Sequence, residues 1–456
     1  MSRLFGTDGV RGVAVTELTC ELAMNIGRAA AVVLSKDGKK PNFLIGKDTR
    51  LSSDTLETAL IAGITSAGAD AELLGVVPTP AVSYLIKEFG VSADTQTRRT
   101  AGIMISASHN SFEDNGIKLF SGTGEKLQDE VEEEIESLIL DYPEKIILKS
   151  GADIGKIRSL YSGKDAYISY IKESTGSDLS GLKLFFDCAN GSAYSFAEVF
   201  SEMGADCEFT ANSPNGVNIN KDCGSTHLKN LSEKVRSGKY HAGIAFDGDA
   251  DRCLFVDEKG FEVSGDKIIA LIAKSMKEKG ELKKNTVVVT VMSNLGFHEF
   301  MRENGINTIC TKVGDRYVYE EMKNGGYNIG GENSGHIILS DYASTGDGLL
   351  TAAKFLKLLK QSGKPLSELV SGIRDYPQKL IGIKINAGMR ETWDKNQNIT
   401  DIIKEAEAAL GSGGRVLVRA SGTEPLLRIM IEAKSAEDME KWLNKIKEVI
   451  EKELCV

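Results

Sequence analysis

Apolar runs of strand length that break into small polar residues, each followed by helical periodicity, recur through this chain and restrict its fold more than any other feature. Residues 42–46, Asn-Phe-Leu-Ile-Gly, predict a strand, 56–67 a helix, 71–76 a second strand and 79–89 a helix behind Pro78, with a further helix at 21–34. The run Gly102-Ile103-Met104-Ile105 breaks into Ser108-His109-Asn110, so the serine is expected in a tight loop at a strand end. Residues 91–100 are expected as a polar surface excursion and 127–140 as an acidic amphipathic helix. A second unit places strands at 182–187, 206–209, 242–246 and 253–256 with a helix at 194–203. A third has helices at 266–279, 295–304, 316–323 and 348–361 and strands at 286–291, 307–310 and 337–339. The last ends strand, loop, strand, helix at 415–419, 426–433 and 436–454. Three α/β units and a smaller α+β unit are therefore expected, over residues 1–155, 156–257, 258–365 and 366–456.

The length of 456 residues agrees, since domains of about 150 residues would number three or four. A net charge of −10 argues against general nucleic-acid binding, so an anionic substrate must be met by local arginines and backbone N–H groups. The seven cysteines are scattered without a CxxC pair, which indicates neither a disulfide framework nor a zinc site and suits a reducing cytoplasm. No apolar window of membrane-spanning length and no export signal is read, so no membrane partner is expected.

The chemistry lies in the loops. Asp247, Asp249 and Asp251 put three carboxylates at alternate positions between two apolar strands. Carboxylates about 4 Å apart repel by about 4 kcal/mol each at an effective dielectric near 20, so a divalent cation is the economical explanation. An EF-hand would need glycine where Arg252 stands, and the flanks read as strands, which leaves magnesium shared with an external phosphoryl group. Arg11 between two glycines can approach a phosphate closely, and Arg419-Ala420-Ser421-Gly422-Thr423 offers a guanidinium, two hydroxyls and exposed N–H groups, with Arg428 a second charge. Glu332, Asn333, Ser334 and His336 supply the donors and acceptors a polyol needs. Lys118 closes the serine loop.

The runs FGTDGVRG, SASHN, DGDADR, GENSGH and RASGTEP, in this order, resemble the α-D-phosphohexomutase superfamily over essentially the whole chain. Residues 218–227, NINKDCGSTH, and 311–316, TKVGDR, resemble its phosphoglucosamine mutase branch more than its phosphomannomutase/phosphoglucomutase branch. The resemblance implies four domains, three related α/β domains with mixed sheets and a smaller C-terminal α+β domain, around a central cleft. It implies Ser108 as phosphoserine, with Asp247, Asp249, Asp251 and Ser108 around one Mg²⁺ per active site, and Arg11, Lys118 and Arg252 stabilising the transferring group. His109 and Lys118 would handle protons. Glu332, Ser334 and His336 would hold sugar hydroxyls beside Thr311, Gly314 and Asp315, and Arg419, Ser421, Gly422, Thr423 and Arg428 the distal phosphate. The implied reaction interconverts glucosamine 6-phosphate and glucosamine 1-phosphate through a hexose 1,6-bisphosphate, feeding UDP-N-acetylglucosamine synthesis; a glucose or mannose phosphate mutase and a non-catalytic sugar-phosphate binder are the alternatives. It allows a homodimer. Two positions depart from the family's usual pattern: Ser111 stands where proline follows the serine loop, and Asn333 where glutamine is usual.

Overall fold

The computed structural model describes residues 3–6, 8–35, 40–89, 99–176, 178–389, 392–420 and 426–454. The chain divides into two compact units, residues 1–292 with 306–371, and residues 293–305 with 372–456.

The first unit contains three mixed sheets. The first comprises β1 (Val10–Val13), β2 (Asn42–Lys47), β3 (Asp70–Val76), β4 (Arg99–Ile105), β5 (Asp114–Ser121) and β6 (Ile157–Ser159) in the order β1-β5-β4-β2-β3-β6. Its parallel core β4-β2-β3-β6 is flanked by antiparallel β5 and β1. Strand β2 is buried over Asn42–Gly46, as parallel strands covered on both faces must be. The helices Cys20–Val33 and Leu51–Ser66 cross so closely that a Cβ on Gly63 would stand 2.0 Å from the Met24 carbonyl, and one on Gly27 2.5 Å from that of Leu60. Only glycine allows that approach. The second sheet joins β7 (Lys183–Asp187), β8 (Asp206–Thr210), β9 (Ala242–Phe246), β10 (Cys253–Asp257) and β11 (Glu262–Val263) in the order β11-β10-β9-β7-β8. Residues 247–252 are thus the turn of the antiparallel β9-β10 hairpin. In the third, β13 (Asn307–Thr311), β12 (Thr286–Thr290), β14 (Ile329–Gly331) and β15 (Ile337–Leu339) lie side by side, and residues 332–336 turn the β14-β15 hairpin.

The second unit has an antiparallel sheet of β16 (Gln378–Lys384), β18 (Leu426–Ala433) and β17 (Gly414–Ala420), with helices Gln397–Leu410 and Ala436–Leu454 packed on it around Ile399, Leu427, Ile429, Ile431, Trp442 and Ile446. The helix Leu295–Glu303, expected in the third α/β unit, belongs here; its Leu295 N–H donates to Glu432 Oε1 at 2.7 Å.

Several expectations change. Arg99 and Thr100 open β4 and are not surface excursion, because Thr100 Oγ1 accepts from Asn42 N–H at 3.2 Å; residues 91–98 lie outside the described ones. Lys118 does not close a loop but sits inside β5, paired with Met104 in a strand buried on both sides. The helix expected at 194–203 is a 3-10 turn, Ser192–Ser195, and a short helix, Val199–Glu202, in a serine- and tyrosine-containing stretch of modest helix preference. The strand β6 follows the expected boundary at residue 155 yet completes the first sheet. Strand β16 and the helix Gln397–Leu410 were not anticipated, although Ile399, Ile402, Ile403 and Ala406 stand at helical spacing.

Candidate active site

Ser108 sits three residues past the end of β4 with φ of 53°, in the left-handed region, and its side chain is buried. Its Oγ donates to Asp247 Oδ2 at 2.6 Å and lies 3.4 Å from His109 Nδ1. Ser106 is otherwise engaged, donating to Asp48 Oδ2 at 2.6 Å and accepting from the Ser108 N–H at 2.9 Å. Ser111 lies on the exposed side of the loop. Of the three serines, Ser108 alone meets the aspartate cluster.

The loop is held from beneath by a buried ion pair. Asp48 and Arg50, in the turn after β2, are both fully buried and 2.8 Å apart. Arg50 donates to the carbonyls of Ser108 at 3.1 Å, Asn110 at 2.9 Å and Asp114 at 3.0 Å, and to that of Ser111. Asn220 Nδ2, in the loop that follows Thr210, supports the Ser108 and Asn110 carbonyls at 2.8 and 2.9 Å. Gly248 belongs to the same contact, since a Cβ there would meet the Ser108 carbonyl at 2.5 Å.

Ligand oxygens of Asp247, Asp249 and Asp251 all lie within 4.8 Å of one another, and the three residues are buried. Asp249 Oδ2 accepts from Thr79 Oγ1 at 2.6 Å and Lys118 Nζ at 2.8 Å. Asp249 Oδ1 and Asp251 Oδ1 are buried without a hydrogen-bond partner. Unpartnered carboxylate oxygens converging beside a hydroxyl are a fitting donor set for a hard divalent cation. Burial, together with the Asp251 and Asp249 charges, drives the Asp247 carboxyl well above the usual carboxylate range. Burial pushes Asp249 the same way, but the charge and hydrogen bond of Lys118 with the Thr79 hydrogen bond together outweigh it and hold that carboxyl below its ordinary range.

Lys118 is itself buried, yet Asp249 at 2.8 Å, Asp8 at 3.1 Å and Asp251 at 3.6 Å keep its ammonium protonated far beyond neutral pH. Such an ammonium is a fixed positive charge and a poor proton carrier. His109 behaves oppositely: burial, with Arg252 and Arg11 nearby, lowers its pKa to about 4, so its imidazole is neutral at pH 7. The Arg252 guanidinium stands 3.2 Å from its Nδ1. Arg11 pairs with Asp8 and donates to the Ala107 carbonyl at 3.4 Å.

The 332–336 turn is attached to the metal-type turn through backbone: Cys253 N–H donates to the Gly335 carbonyl at 3.1 Å, and Arg252 bridges to His336. His336 Nε2 thereby stands 3.4 Å from Asp315 Oδ2 and 3.8 Å from Asp251 Oδ2. Glu332 Oε1 accepts from Gly314 N–H at 3.1 Å, and Ser334 Oγ lies 3.5 Å from Glu332 Oε2. The Thr311 hydroxyl instead donates to the Lys312 carbonyl at 3.0 Å. In the second unit, Arg419 and Arg428 are register partners on β17 and β18, and burial with the Arg428 charge lowers the Arg419 pKa. Ser421, Gly422 and Thr423 lie outside the described residues.

Sequence reasoning had not picked out Asp48, Arg50, Thr79, Asn220 or Lys126. Asp48 and Arg50 carried one usable signal, a charged turn after the strand beside β4.

The sequence matches the family profiles of phosphoglucomutase/phosphomannomutase: alpha/beta/alpha domain I over residues 2–145, domain II over 165–260, domain III over 264–376 and the C-terminal domain over 380–449. It is 51% identical over 457 residues, covering 100% of both chains, to phosphoglucosamine mutase of Caldicellulosiruptor bescii. To phosphoglucosamine mutase of Shouchella clausii it is 48% identical, again over 100% of each. Among solved structures, a phosphoglucomutase/phosphomannomutase family protein from Burkholderia thailandensis shares the fold at a TM-score of 0.79, with 23% identity and 99% of each chain covered. The Aspergillus fumigatus N-acetylphosphoglucosamine mutase, solved with GlcNAc-6P and magnesium, matches at a TM-score of 0.70 and 18% identity over 99% of this chain and 96% of that one.

Proposed function

The chain belongs to the phosphoglucomutase/phosphomannomutase family and is a mutase, and we propose that it interconverts glucosamine 6-phosphate and glucosamine 1-phosphate with Ser108 as the phosphate carrier. The observation that carries this reading is the Ser108 hydroxyl, 2.6 Å from Asp247 in a cluster of three buried aspartates. The two relatives at 51% and 48% identity are phosphoglucosamine mutases, which favours the amino sugar over glucose or mannose.

In the forward direction the bond between Ser108 Oγ and phosphorus breaks as the C1 hydroxyl oxygen of glucosamine 6-phosphate bonds to phosphorus, giving the 1,6-bisphosphate. The C1 hydroxyl gives up its proton as it attacks and the departing Ser108 Oγ takes one up, leaving the free serine hydroxyl; His109, neutral at physiological pH and 3.4 Å from that Oγ, is the proton carrier. After the bisphosphate turns over, its C6 phosphoryl returns to Ser108, whose hydroxyl gives up its proton as the departing C6 oxygen takes one up, and glucosamine 1-phosphate leaves. Arg11, Lys118 and Arg252 supply fixed positive charge to the transferring group, where catalysis of phosphoryl transfer resides. Asp247, Asp249, Asp251 and Ser108 would hold one Mg²⁺, which when bound neutralises phosphoryl oxygen charge. Glu332, Ser334 and His336 hold the sugar hydroxyls, with Thr311, Gly314 and Asp315 beside them, while Arg419, Arg428 and the residues Ser421, Gly422 and Thr423 take the distal phosphate.

The free thiols of Cys20, Cys188, Cys207, Cys223 and Cys253 support a cytoplasmic location, and no helix among the described residues is long and apolar enough to cross a membrane. The exposed apolar side chains Tyr142, Ile147, Leu148, Ile157 and Tyr161 support pairing of two copies through the first sheet's β6 edge.

The test is turnover of glucosamine 6-phosphate against glucose 1-phosphate with Mg²⁺ and a trace of hexose 1,6-bisphosphate, joined to phosphopeptide mapping. Preference for glucose 1-phosphate would overturn the substrate assignment. Absence of phosphate on Ser108 would overturn the carrier.

A further inference from the structure

We propose that Lys126 is a positioning residue of this reaction, joining the charges around the phosphate carrier to those around the sugar loop; the inference rests on the mutase reading above. Lys126 follows a tight turn after β5. Ser121 N–H donates to the Glu125 carbonyl at 2.7 Å, and Lys126 bridges antiparallel to Phe120, which folds the chain back along the strand that carries Lys118. Its side chain is 19% exposed and its Nζ donates to two carboxylates, Asp8 Oδ1 at 2.8 Å and Asp315 Oδ2 at 2.7 Å.

Those carboxylates have different further partners. Asp8 pairs with Lys118 and Arg11, two of the cations assigned to the transferring phosphoryl group. Asp315 stands 3.4 Å from His336 Nε2, at the sugar loop. One ammonium thus sets how much of the Asp8 charge remains for Lys118 and Arg11, and keeps Asp315 from turning wholly onto His336. Without it, Asp8 and Asp315 each lose a counter-ion in a poorly solvated place, and the nearest cations are the ones the chemistry needs. A charge misplaced at this step affects the transition state more than the bound substrate, because charge on the transferring group is redistributed there.

Attachment of this turn to the third domain does not depend on Lys126. Glu125 Oε1 accepts from Tyr319 Oη at 2.8 Å, Glu125 Oε2 pairs with Lys323 at 2.8 Å, and the Gly124 carbonyl accepts from Ser344 Oγ at 2.7 Å. A merely structural tie is therefore separable from the charge bridge by substitution.

The experiment compares Lys126→Met, Lys126→Arg and Glu125→Ala in the full-length enzyme, reading kcat and KM for glucosamine 6-phosphate together with single-turnover transfer of labelled phosphate from Ser108. Lys126→Met is expected to lower kcat and the transfer rate at least tenfold with KM within threefold; Lys126→Arg recovers both to within threefold, and Glu125→Ala leaves both unchanged. Should Lys126→Met fail to fold, Lys126→Gln is read in the same way. The proposal is overturned if kcat of the neutral variant stays within threefold of wild type, if the loss appears only in KM, if arginine gives no rescue, or if Glu125→Ala costs as much. A wild-type enzyme that turns over no amino-sugar phosphate would instead overturn the function on which it rests.

Discussion

Replacing Arg50 by methionine tests whether the phosphate-carrying serine is placed by its own loop or by the buried ion pair beneath it. Five losses follow from the geometry: the Asp48 counter-charge at 2.8 Å, the bonds to the carbonyls of Ser108, Asn110 and Asp114 at 3.1, 2.9 and 3.0 Å, and the bond to the Ser111 carbonyl. They are not equal. Asn220 Nδ2 still holds the Ser108 and Asn110 carbonyls, so those two stay satisfied. Asp48 keeps the Ser106 and Ser53 hydroxyls at 2.6 and 3.0 Å but is left as a buried anion without its cation. Breaking a buried pair from one side costs about 3–5 kcal/mol, and the retained hydrogen bonds argue for the lower end. The Asp114 carbonyl adds about 1 kcal/mol, while that of the exposed Ser111 can turn to water, for a total of about 4 kcal/mol. Expressed as local opening, that is a roughly thousandfold loss of hydrogen-exchange protection at the Ser108 and Asn110 amides. A serine displaced by about 1 Å would cost turnover on the order of 100-fold. Arg50→Lys should recover little, because an ammonium cannot fork to several carbonyls and a carboxylate at once. Protection within tenfold of wild type, with turnover within threefold, would refute the reasoning and return control of Ser108 to the local sequence.

Ser108→Ala should abolish turnover while the urea midpoint barely moves, as one loop hydroxyl contributes about 1 kcal/mol or less to stability; substantial residual activity would pass the carrier role to Ser106 or Ser111. Asp249→Asn should raise the Mg²⁺ concentration for half-maximal activity at least tenfold, and an unchanged metal titration would remove the 247–252 turn from the mechanism. His109 gives a pH signature: its folded pKa of about 4 lies below the ordinary 6.5, so the folded state favours the neutral ring. The associated stability is complete above about pH 6.5 and is lost as pH falls towards 4, by about 3 kcal/mol. His109→Asn should therefore narrow the stability difference between pH 7 and pH 4.5, measured by urea unfolding; a wild-type-sized difference in the variant would show that the ring is not held neutral.

What could be read from the sequence, and what could not, follows from whether partners are close along the chain. The turns at 247–252 and 332–336 were legible because each is a hairpin tip whose functional residues lie within a few positions of one another between apolar strands. Lys118 was found as a residue but misplaced as structure. Its neighbours in β5 include Gly116 and Asn115, which read as loop, whereas the strand is formed by pairing with β4 and β1 on either side. Asp48 and Arg50 were not named because the groups they hold are 58 to 64 positions away, a serine hydroxyl for Asp48 and, for Arg50, loop carbonyls that have no side-chain signature. Even so, one step of reasoning could have reached them. Strands β2 and β4 are parallel neighbours, so the turns at their carboxyl ends must lie side by side, and the Asp48 N–H indeed donates to the Ile105 carbonyl at 3.0 Å. Given a parallel sheet, a buried charge in the turn next to a candidate nucleophile belongs to that nucleophile's scaffold, and Arg50 should have been named with Ser108.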